Sequence, residues 1–242
     1  MASTNQPEKL RPSSRHAPEM FDRVAFRYDL ANRVLSCGVD QGWRRRLVRY
    51  VPQDRPLAVL DLASGTGDVA LLLARSRPNA TRIVGCDLSL PMMALGQRKA
   101  QAVTATQHIA FVAGDAHRLP FPDACFDVVT MAFGLRNLAD RPHCLGEIRR
   151  VLRPGGMALI LEFSLPACPF VRKIYLLYLK HILPTLGGLL SGNPPAYQYL
   201  SSSIQAFPPT GEMCSTMQEC GFTVRAEALT LGIAALYIAE KK

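Results

Sequence analysis

The 242-residue sequence lacks the patterns of a secreted, metal-binding or nucleic-acid-binding protein. Its seven cysteines form no CxxC pair and stand near no histidines at metal-ligand spacing, which predicts free thiols in a reducing compartment and no metal site. The first twenty residues carry three prolines and no apolar signal-peptide core, so we expect residues 1–19 to be a disordered lead-in. An organelle transit peptide is the alternative, although Glu8 and Glu19 count against it. No nucleic-acid module is visible, so nucleic acid is not an expected partner.

The length, hydrophobic content and net charge suit a folded globular domain with a basic surface. A 48% share of hydrophobic residues can fill a sizeable core, and the length suits one domain, residues 20–242, with an insertion. We expect a two-piece helical cap at residues 20–56 and a helical lid insert at residues 164–209. The net charge is +9, and residues 1–55 alone hold eleven Lys or Arg against six Asp or Glu. This excess predicts either a solvated charged face or attraction to an anionic membrane.

The most informative stretch is Leu57–Asp68, which reads LAVLDLASGTGD. An apolar run of strand formers is followed by a loop of small residues and then by a helix start, an arrangement typical of a nucleotide-type cradle. Gly65 and Gly67 allow the backbone to approach a ligand closely, and Asp61 at the strand end can accept hydrogen bonds. The same glycine spacing also fits the NAD fingerprint, so the loop alone does not identify the cofactor.

Strands and helices alternate after this loop, which predicts an α/β fold with a doubly wound, mainly parallel sheet. A closing hairpin, Phe222–Leu229 with Ile233–Glu240, adds at least one antiparallel strand. In such sheets ligands bind at the carboxyl ends of the strands. The other predicted strands are Leu57–Ala63, Arg82–Asp87, Ile109–Ala116, Phe126–Ala132 and Met157–Phe163, and the predicted helices are Val69–Arg75, Pro91–Val103, Asp140–Leu152 and Gly211–Gly221.

The acids at the strand ends favour S-adenosylmethionine (SAM) over NAD. Asp87 stands twenty residues past Gly67, where either cofactor would place its ribose diol. Asp115 could accept from the adenine amine while Ala116 meets the ring. SAM has no phosphates, and the loop has no basic residue, which fits SAM. The predicted cofactor set is Asp61, Gly65, Thr66, Gly67, Asp87, Asp115, Ala116 and Ala132.

Residues 164–209 interrupt the alternation. Their helix, predicted at Phe170–Leu183, is too short and too charged to span a bilayer. With 100° per residue, Arg172, Lys173 and Lys180 fall on one stripe of an otherwise apolar helix. A helix packed on the core and a lid or membrane-facing helix both fit this pattern.

These segments together resemble the ubiquinone/menaquinone biosynthesis C-methyltransferases of the UbiE/MenG type, from about Met20 to Lys242. The sequence Phe21–Ala25 and then YDLANRVLSCGVDQGW (28–43) is similar to the first family signature, and RVLRPGGMALILEFS (150–164) to the second. LPFPDACFD, FGLRN, YQYLSSSI and LTLGIAAL also fit. Ala31 replaces the usual methionine, Asp40 the usual histidine and Arg153 the usual lysine, while Tyr237 stands where histidine is frequent.

The resemblance implies a seven-stranded class I SAM-dependent methyltransferase fold and carbon methylation of a polyprenylated quinol. It leaves open demethylmenaquinol or a ubiquinone precursor, and a homodimer or a quinone-biosynthesis complex. A cytoplasmic protein in peripheral contact with anionic membrane is expected. The ring must be electron-rich to attack the methyl group, so one hydroxyl of the quinol is expected to lose its proton. Arg136 and Asn137 are the predicted catalytic pair that orients the substrate; Arg136 could hold the phenolate or a water that takes the proton. Tyr28 and Asp29 either close the site or are structural.

Three rival functions remain at the level of sequence. One is a NAD-dependent oxidoreductase, another is a membrane-associated binding protein that uses the basic insert helix, and the third is a SAM-dependent methyltransferase of a soluble small molecule. Among the five histidines, His117 lies nearest the expected adenine end and His181 lies on the insert. Neither has a partner in the sequence that marks it as a base.

Overall fold

The structure is a computed structural model that describes Ser36 and residues 38–102, 109–191 and 194–242, without the side chains of residues 189–191 and 194. The expected lead-in, the first helical piece of the cap, and the candidate site residues Tyr28 and Asp29 lie outside these ranges. So does Cys37. Everything below concerns the described residues.

Seven strands form one sheet in these ranges, in the order β3-β2-β1-β4-β5-β7-β6. Only β7 runs antiparallel to its neighbours, β5 and β6; the pairs that join β1 to β5 are parallel. The predicted doubly wound, mainly parallel sheet with one antiparallel strand is confirmed. The strands are β1 Leu57–Leu62, β2 Ala80–Asp87, β3 Ile109–Ala113, β4 Phe126–Ala132, β5 Leu152–Phe163, β6 Phe222–Leu229 and β7 Ala234–Lys241.

Helices pack on both faces of the sheet, because inward side chains alternate along each strand. One buried cluster joins Leu60 and Leu62 of β1 to Ile148 and Met217, and the other joins Leu57 and Val59 to helices on the opposite face. The helices are α1 Val39–Arg49, α2 Asp68–Ser76, α3 Leu90–Gln101, α4 Arg141–Val151, α5 Pro169–Leu177, α6 Leu183–Ser191, α7 Pro194–Ala206 and α8 Thr210–Glu219.

Two predicted strand boundaries are wrong. Strand β5 begins at Leu152, not Met157, because the Pro-Gly-Gly stretch is carried inside the strand, where the register with β4 shifts. Strand β3 ends at Ala113, so Asp115 and Ala116 lie beyond it in a turn in which Asp115 bridges to Arg118. Gly114 permits this exit, since a Cβ there would lie 2.8 Å from Cys86 Sγ.

The insert is also less regular than predicted. In place of one α-helix over Phe170–Leu183, α5 ends at Leu177 and a π-helical turn, Tyr178–Ile182, leads into α6. A π turn winds more slowly than an α-helix, so the stripe calculated for Lys180 does not hold beyond Leu177. The insert has its own small core, centred on Tyr175, Leu179 and Tyr197. Across the described ranges, every helix falls short of the length and apolar character that crossing a bilayer requires.

Candidate active site

The loop that joins β1 to α2, residues 64–67, turns at two glycines in the left-handed region. The φ angle is 54° at Gly65 and 79° at Gly67, where an L side chain is strained. A Cβ added at Gly67 would also lie 2.9 Å from the ring of Phe111 on β3. Only glycine therefore preserves this loop, which borders a cavity of about 410 Å³ at the carboxyl ends of the strands.

Asp87, the last residue of β2, fastens the glycine loop to the sheet. One carboxylate oxygen accepts a hydrogen bond from the Gly65 N–H at 2.8 Å, and the other accepts from the Ser89 N–H at 2.9 Å. The carboxylate also lines the cavity. Its orientation is therefore fixed by the protein itself, which suits the ribose contact predicted for it from the sequence.

Asp61, on β1, is buried at the back of the same cavity. It accepts from Thr130 Oγ1 at 2.7 Å and from the Ala70 N–H at 3.2 Å. Burial raises the pKa of Asp61 to about 7, although these two bonds and the positive charge of Arg44 act in the opposite direction. Sequence analysis missed Thr130, whose signal is a hydroxyl in the middle of the buried strand β4.

Asp115 lies at the far end of the cavity beside a histidine. It accepts from the backbone N–H of His117, and its carboxylate is 2.9 Å from His117 Nδ1. Partial burial alone would raise the pKa of Asp115, but these hydrogen bonds and the charge of His117 outweigh it, and the pKa is lowered. The structure thus gives His117 a carboxylate partner that sequence analysis did not identify.

The smaller cavity gathers residues from the ends of four strands. Gly67 is the one member of the predicted cofactor set that does not line the cavity; it forms the turn of the loop and packs close to Phe111. The wall thus offers carboxylates as acceptors, backbone amides as donors and a glycine loop whose space a Cβ would fill. These groups fit SAM. The predicted residues on the wall are Asp61, Gly65, Thr66, Asp87, Asp115, Ala116 and Ala132, with Asn137 beside them.

A second cavity of about 660 Å³ lies beside the first, between the insert, α1 and the ends of β4 and β5. Its wall is almost entirely apolar and rich in aromatic rings. Aromatic contacts order this wall: the ring centroids of Phe133 and Phe163 are 4.6 Å apart, and Trp43 meets Phe163 edge-on at 6.0 Å. The sequence did not reveal this cavity, because its wall comes from segments that are distant in sequence, between Ser36 and Ile233.

Arg44 and Phe133 line both cavities and form the wall between them. Phe133 has a φ of 62°, which is uncommon for a bulky residue and is found where function demands it. The next residue, Gly134, cannot carry a side chain, since a Cβ there would lie 2.6 Å from the Cβ of Ala63. The guanidinium of Arg44 stands 5.1 Å from the centroid of the Phe133 ring.

Arg136 and Asn137 share one 3₁₀ turn, Leu135–Asn137, but line different cavities. The Arg136 side chain is 3% exposed and donates to Glu162 Oε1 at 2.9 Å, while its backbone N–H donates to the other oxygen of Glu162. Asn137 accepts from the Tyr199 hydroxyl at 3.1 Å. Both side chains also donate to the Phe133 carbonyl, so this turn fixes the strained residue between the cavities.

Asp40, which stands where the family signature usually has histidine, faces the larger cavity from α1. It accepts from Ser36 Oγ at 2.6 Å and forms an ion pair with Arg44, one helical turn later. The departure from the family pattern is thus compensated locally, because the carboxylate has a cationic partner and a hydroxyl donor.

Comparison with known proteins identifies the family of this chain. A model of the ubiE/COQ5 methyltransferase family matches residues 10–241. A demethylmenaquinone methyltransferase from Thermus thermophilus is 47% identical over 92% of this chain and the whole of its own length. A ubiquinone/menaquinone biosynthesis C-methyltransferase from Geobacter sulfurreducens is 45% identical over 92% of this chain and 87% of its own.

Solved structures share the fold at low sequence identity. The [4+2]-cyclase SpnF superposes with a TM-score of 0.70 at 17% identity, covering 96% of this chain and 97% of its own. A SAM-dependent methyltransferase from Aquifex aeolicus gives 0.60 at 16% identity, covering 82% and 89%. A cyclase on this fold illustrates that architecture alone does not determine chemistry. The family match does more: the chain belongs to the ubiE/COQ5 methyltransferase family, and it is a methyltransferase that uses SAM.

Proposed function

We propose that this member of the ubiE/COQ5 methyltransferase family methylates a ring carbon of a polyprenylated quinol, with demethylmenaquinol as the first candidate. The observation that carries the proposal is the apolar, aromatic-lined cavity that shares the wall of Arg44 and Phe133 with the cofactor cavity. Its volume of about 660 Å³ lies within the range of roughly 300–1,000 Å³ typical of small-molecule sites. A flat ring with a hydrocarbon tail matches such a lining.

The names of the relatives support the same substrate class. Proteins 47% and 43% identical to this chain are called demethylmenaquinone methyltransferases. Others, 45% and 42% identical, are named for both ubiquinone and menaquinone biosynthesis. A demethylated ubiquinol precursor is therefore the second substrate to test.

The proposed chemistry assigns Arg136 to the substrate. Bound SAM would supply an electrophilic methyl group. A quinol hydroxyl loses its proton to water, and the ring carbon then attacks the methyl group, so that the methyl–sulfur bond breaks and S-adenosylhomocysteine leaves. Loss of the hydrogen on that carbon as a proton to water restores the aromatic quinol. Arg136 cannot act as a base at ordinary pH, but its guanidinium can stabilise that phenolate. Glu162 fixes the fork of Arg136 through a buried pair, and the apolar wall strengthens the attraction by excluding water. Asn137, Tyr28 and Asp29 complete the proposed catalytic group.

Peripheral membrane contact is part of this proposal, since a polyprenyl tail resides in the bilayer. Three apolar side chains that line the larger cavity are also exposed at its rim: Phe170 by 73%, Ile174 by 54% and Leu231 by 75%. The cations Arg172 and Lys173 flank them on α5 and are exposed. Apolar groups at an opening, with cations beside them, suit an anionic bilayer from which the tail enters the cavity.

The test is methyl transfer with defined quinols. Purified protein is supplied with SAM and a short-chain demethylmenaquinol kept reduced, in parallel with a demethylated ubiquinol precursor and with each oxidised quinone. Mass spectrometry should find ring-methylated product from a quinol and none from the quinones. Failure to methylate either quinol, with SAM binding intact, would reject the substrate class.

A further inference from the structure

Arg44 on α1 has a chemical role that the quinol does not account for. Its side chain is only 12% exposed and borders both cavities. Asp40 binds it through Nη1, and its Nε is buried without a hydrogen-bond partner among the described residues. A guanidinium has five N–H donors in a planar fork, so this one is held in place with donors left for an anion.

The charges around the smaller cavity are unbalanced. Among the described residues on its wall, only Arg44 and His117 are basic. His117 is next to Asp115, at one end, whereas the charge of Arg44 acts on Asp61, at the other. Lys99 does not line the wall itself; its ammonium donates to Thr66 Oγ1 and Asp68 Oδ1. The carboxylates on the wall are those of Asp61, Asp68, Asp87 and Asp115.

SAM carries an ammonium and a carboxylate on the same carbon of its amino-acid part. The Asp61 end of the cavity suits the ammonium, but a carboxylate placed among four acids would be repelled unless a cation receives it. We propose that Arg44 binds the α-carboxylate of SAM, with Asp40 holding the guanidinium in position. Arg44 and Asp61 then recognise the two charges of the amino acid as a matched pair.

This role would couple the two cavities. Arg44 stands over Phe133, and both belong to the shared wall. A bound carboxylate would fix the guanidinium, and with it one side of the larger cavity, before a second substrate arrives. The inference rests on SAM as cofactor and not on the identity of the quinol.

The experiment compares SAM with decarboxylated SAM, which keeps the sulfonium and the amine. Binding is measured by calorimetry and by the fluorescence of Trp43, the single tryptophan, which precedes Arg44 in the sequence and lines the larger cavity. Wild type should prefer SAM by roughly tenfold to a hundredfold, as expected for a charged hydrogen-bonded pair. Arg44→Gln should lose this preference by weakening SAM alone. Arg45→Gln, an exposed neighbour that does not line either cavity, is the matched control.

The results that would overturn the Arg44 assignment differ from the result that would refute SAM as cofactor. A wild type without preference, or an Arg44→Gln variant that weakens both ligands equally or neither, would overturn the assignment. A wild type that binds neither ligand would instead refute the cofactor. Since Arg44→Gln leaves Asp40 buried without its cation, the double variant Asp40→Asn/Arg44→Gln provides the same comparison without the unpaired acid. It too should bind both ligands with similar affinity.

Discussion

The two cavities that meet at Arg44 and Phe133 are constructed from different parts of the chain. The smaller one is formed by strand ends and a glycine loop, and apart from Arg44 of α1 its wall comes from one continuous α/β unit that offers carboxylates and backbone amides. The larger one is formed by side chains of α1, the insert and the loop before β7. Its wall is aromatic and aliphatic, with Arg136 and the Asp40–Arg44 pair as its charged groups.

This contrast separates cofactor recognition from substrate recognition. The smaller cavity relies on fixed main-chain geometry, which one substitution at Gly67 or Asp87 would disturb. The larger cavity relies on packing among helices, as between α6 and α7, where a Cβ on Gly187 would lie 2.4 Å from the Tyr197 ring. Variants confined to one cavity should therefore change one ligand and spare the other.

The largest difference between the effect on turnover and the effect on SAM affinity is expected from Arg136→Lys. The change keeps the positive charge but removes the planar fork that Glu162 orients, so turnover on a quinol should fall by about two to three decades. SAM affinity should stay within twofold, roughly, because Arg136 does not line the smaller cavity. Steady-state kinetics and calorimetry measure the two effects. Arg141→Lys, the same substitution away from both cavities, is the control. Wild-type turnover would make Arg136 structural.

Membrane binding at the rim of the larger cavity can be tested separately from ligand binding inside either cavity. Replacing Arg172, Lys173 and Lys180 with Gln should weaken binding to anionic vesicles at low salt by up to about two decades, at about 1 kcal/mol per cation. High salt should abolish the difference. Co-sedimentation measures the binding, and activity on a short-chain soluble quinol should survive. A triple Gln variant at exposed Arg75, Arg98 and Arg118 makes the same change of charge elsewhere; equal losses in both variants would count against a specific rim.

Asp87→Ala should act on the smaller cavity alone. It removes the acceptors proposed for the ribose and the bond that holds Gly65, each a charged hydrogen bond of roughly 1.5–3 kcal/mol. The SAM dissociation constant should rise at least about tenfold in titration, while the aromatic lining of the larger cavity is untouched. Asp54→Ala, an exposed acid outside both walls, should leave the constant unchanged. An unaltered constant in Asp87→Ala would remove Asp87 from the cofactor site.

The smallest effect concerns the protonation of Asp61. With its pKa raised to about 7 in the free protein, Asp61 is mostly neutral at pH 6 and must lose a proton to pair with an ammonium. Binding that favours the ionised form therefore strengthens as pH rises, by about eightfold between pH 6 and 7.5. Calorimetry in buffers of different ionisation enthalpy would count the released proton. In Asp61→Asn the affinity should be independent of pH over this range; a persistent slope would locate the proton on another group.

The sequence predicted best what depends on short, local patterns. The glycine loop, the acid that ends β2 and the alternation of strands and helices are read from neighbouring residues, and the structure brings them together at one edge of the sheet. The basic excess in residues 1–55 predicted a solvated charged face or attraction to a membrane, yet within it Arg44 pairs with Asp40 and is only 12% exposed, while Arg45 stays exposed. The spacing of four residues between Asp40 and Arg44 was the available signal.

Long-range packing was beyond a reading of one sequence. The larger cavity needs Trp43, Phe163 and Tyr197 to converge from segments more than thirty residues apart, and hydrophobic periodicity does not state which faces meet. The π turn in the insert and the positive φ of Phe133 are likewise consequences of tertiary contacts. The His117–Asp115 pair needed the early end of β3, which placed both residues in one turn.

The placement of β7 bears on the order in which the molecule is made. This strand is the last of the seven in sequence, yet it lies inside the sheet, and among the described strands β6 pairs only with it. On the ribosome the glycine loop and its acids can assemble early, whereas β6 must wait for Ala234–Lys241 to be synthesised. Thr230 and Ile233, which line the larger cavity, are also synthesised late in the chain. The residues that line the smaller cavity, all within 44–139, are thus synthesised before residues 230–233 complete the wall of the larger cavity.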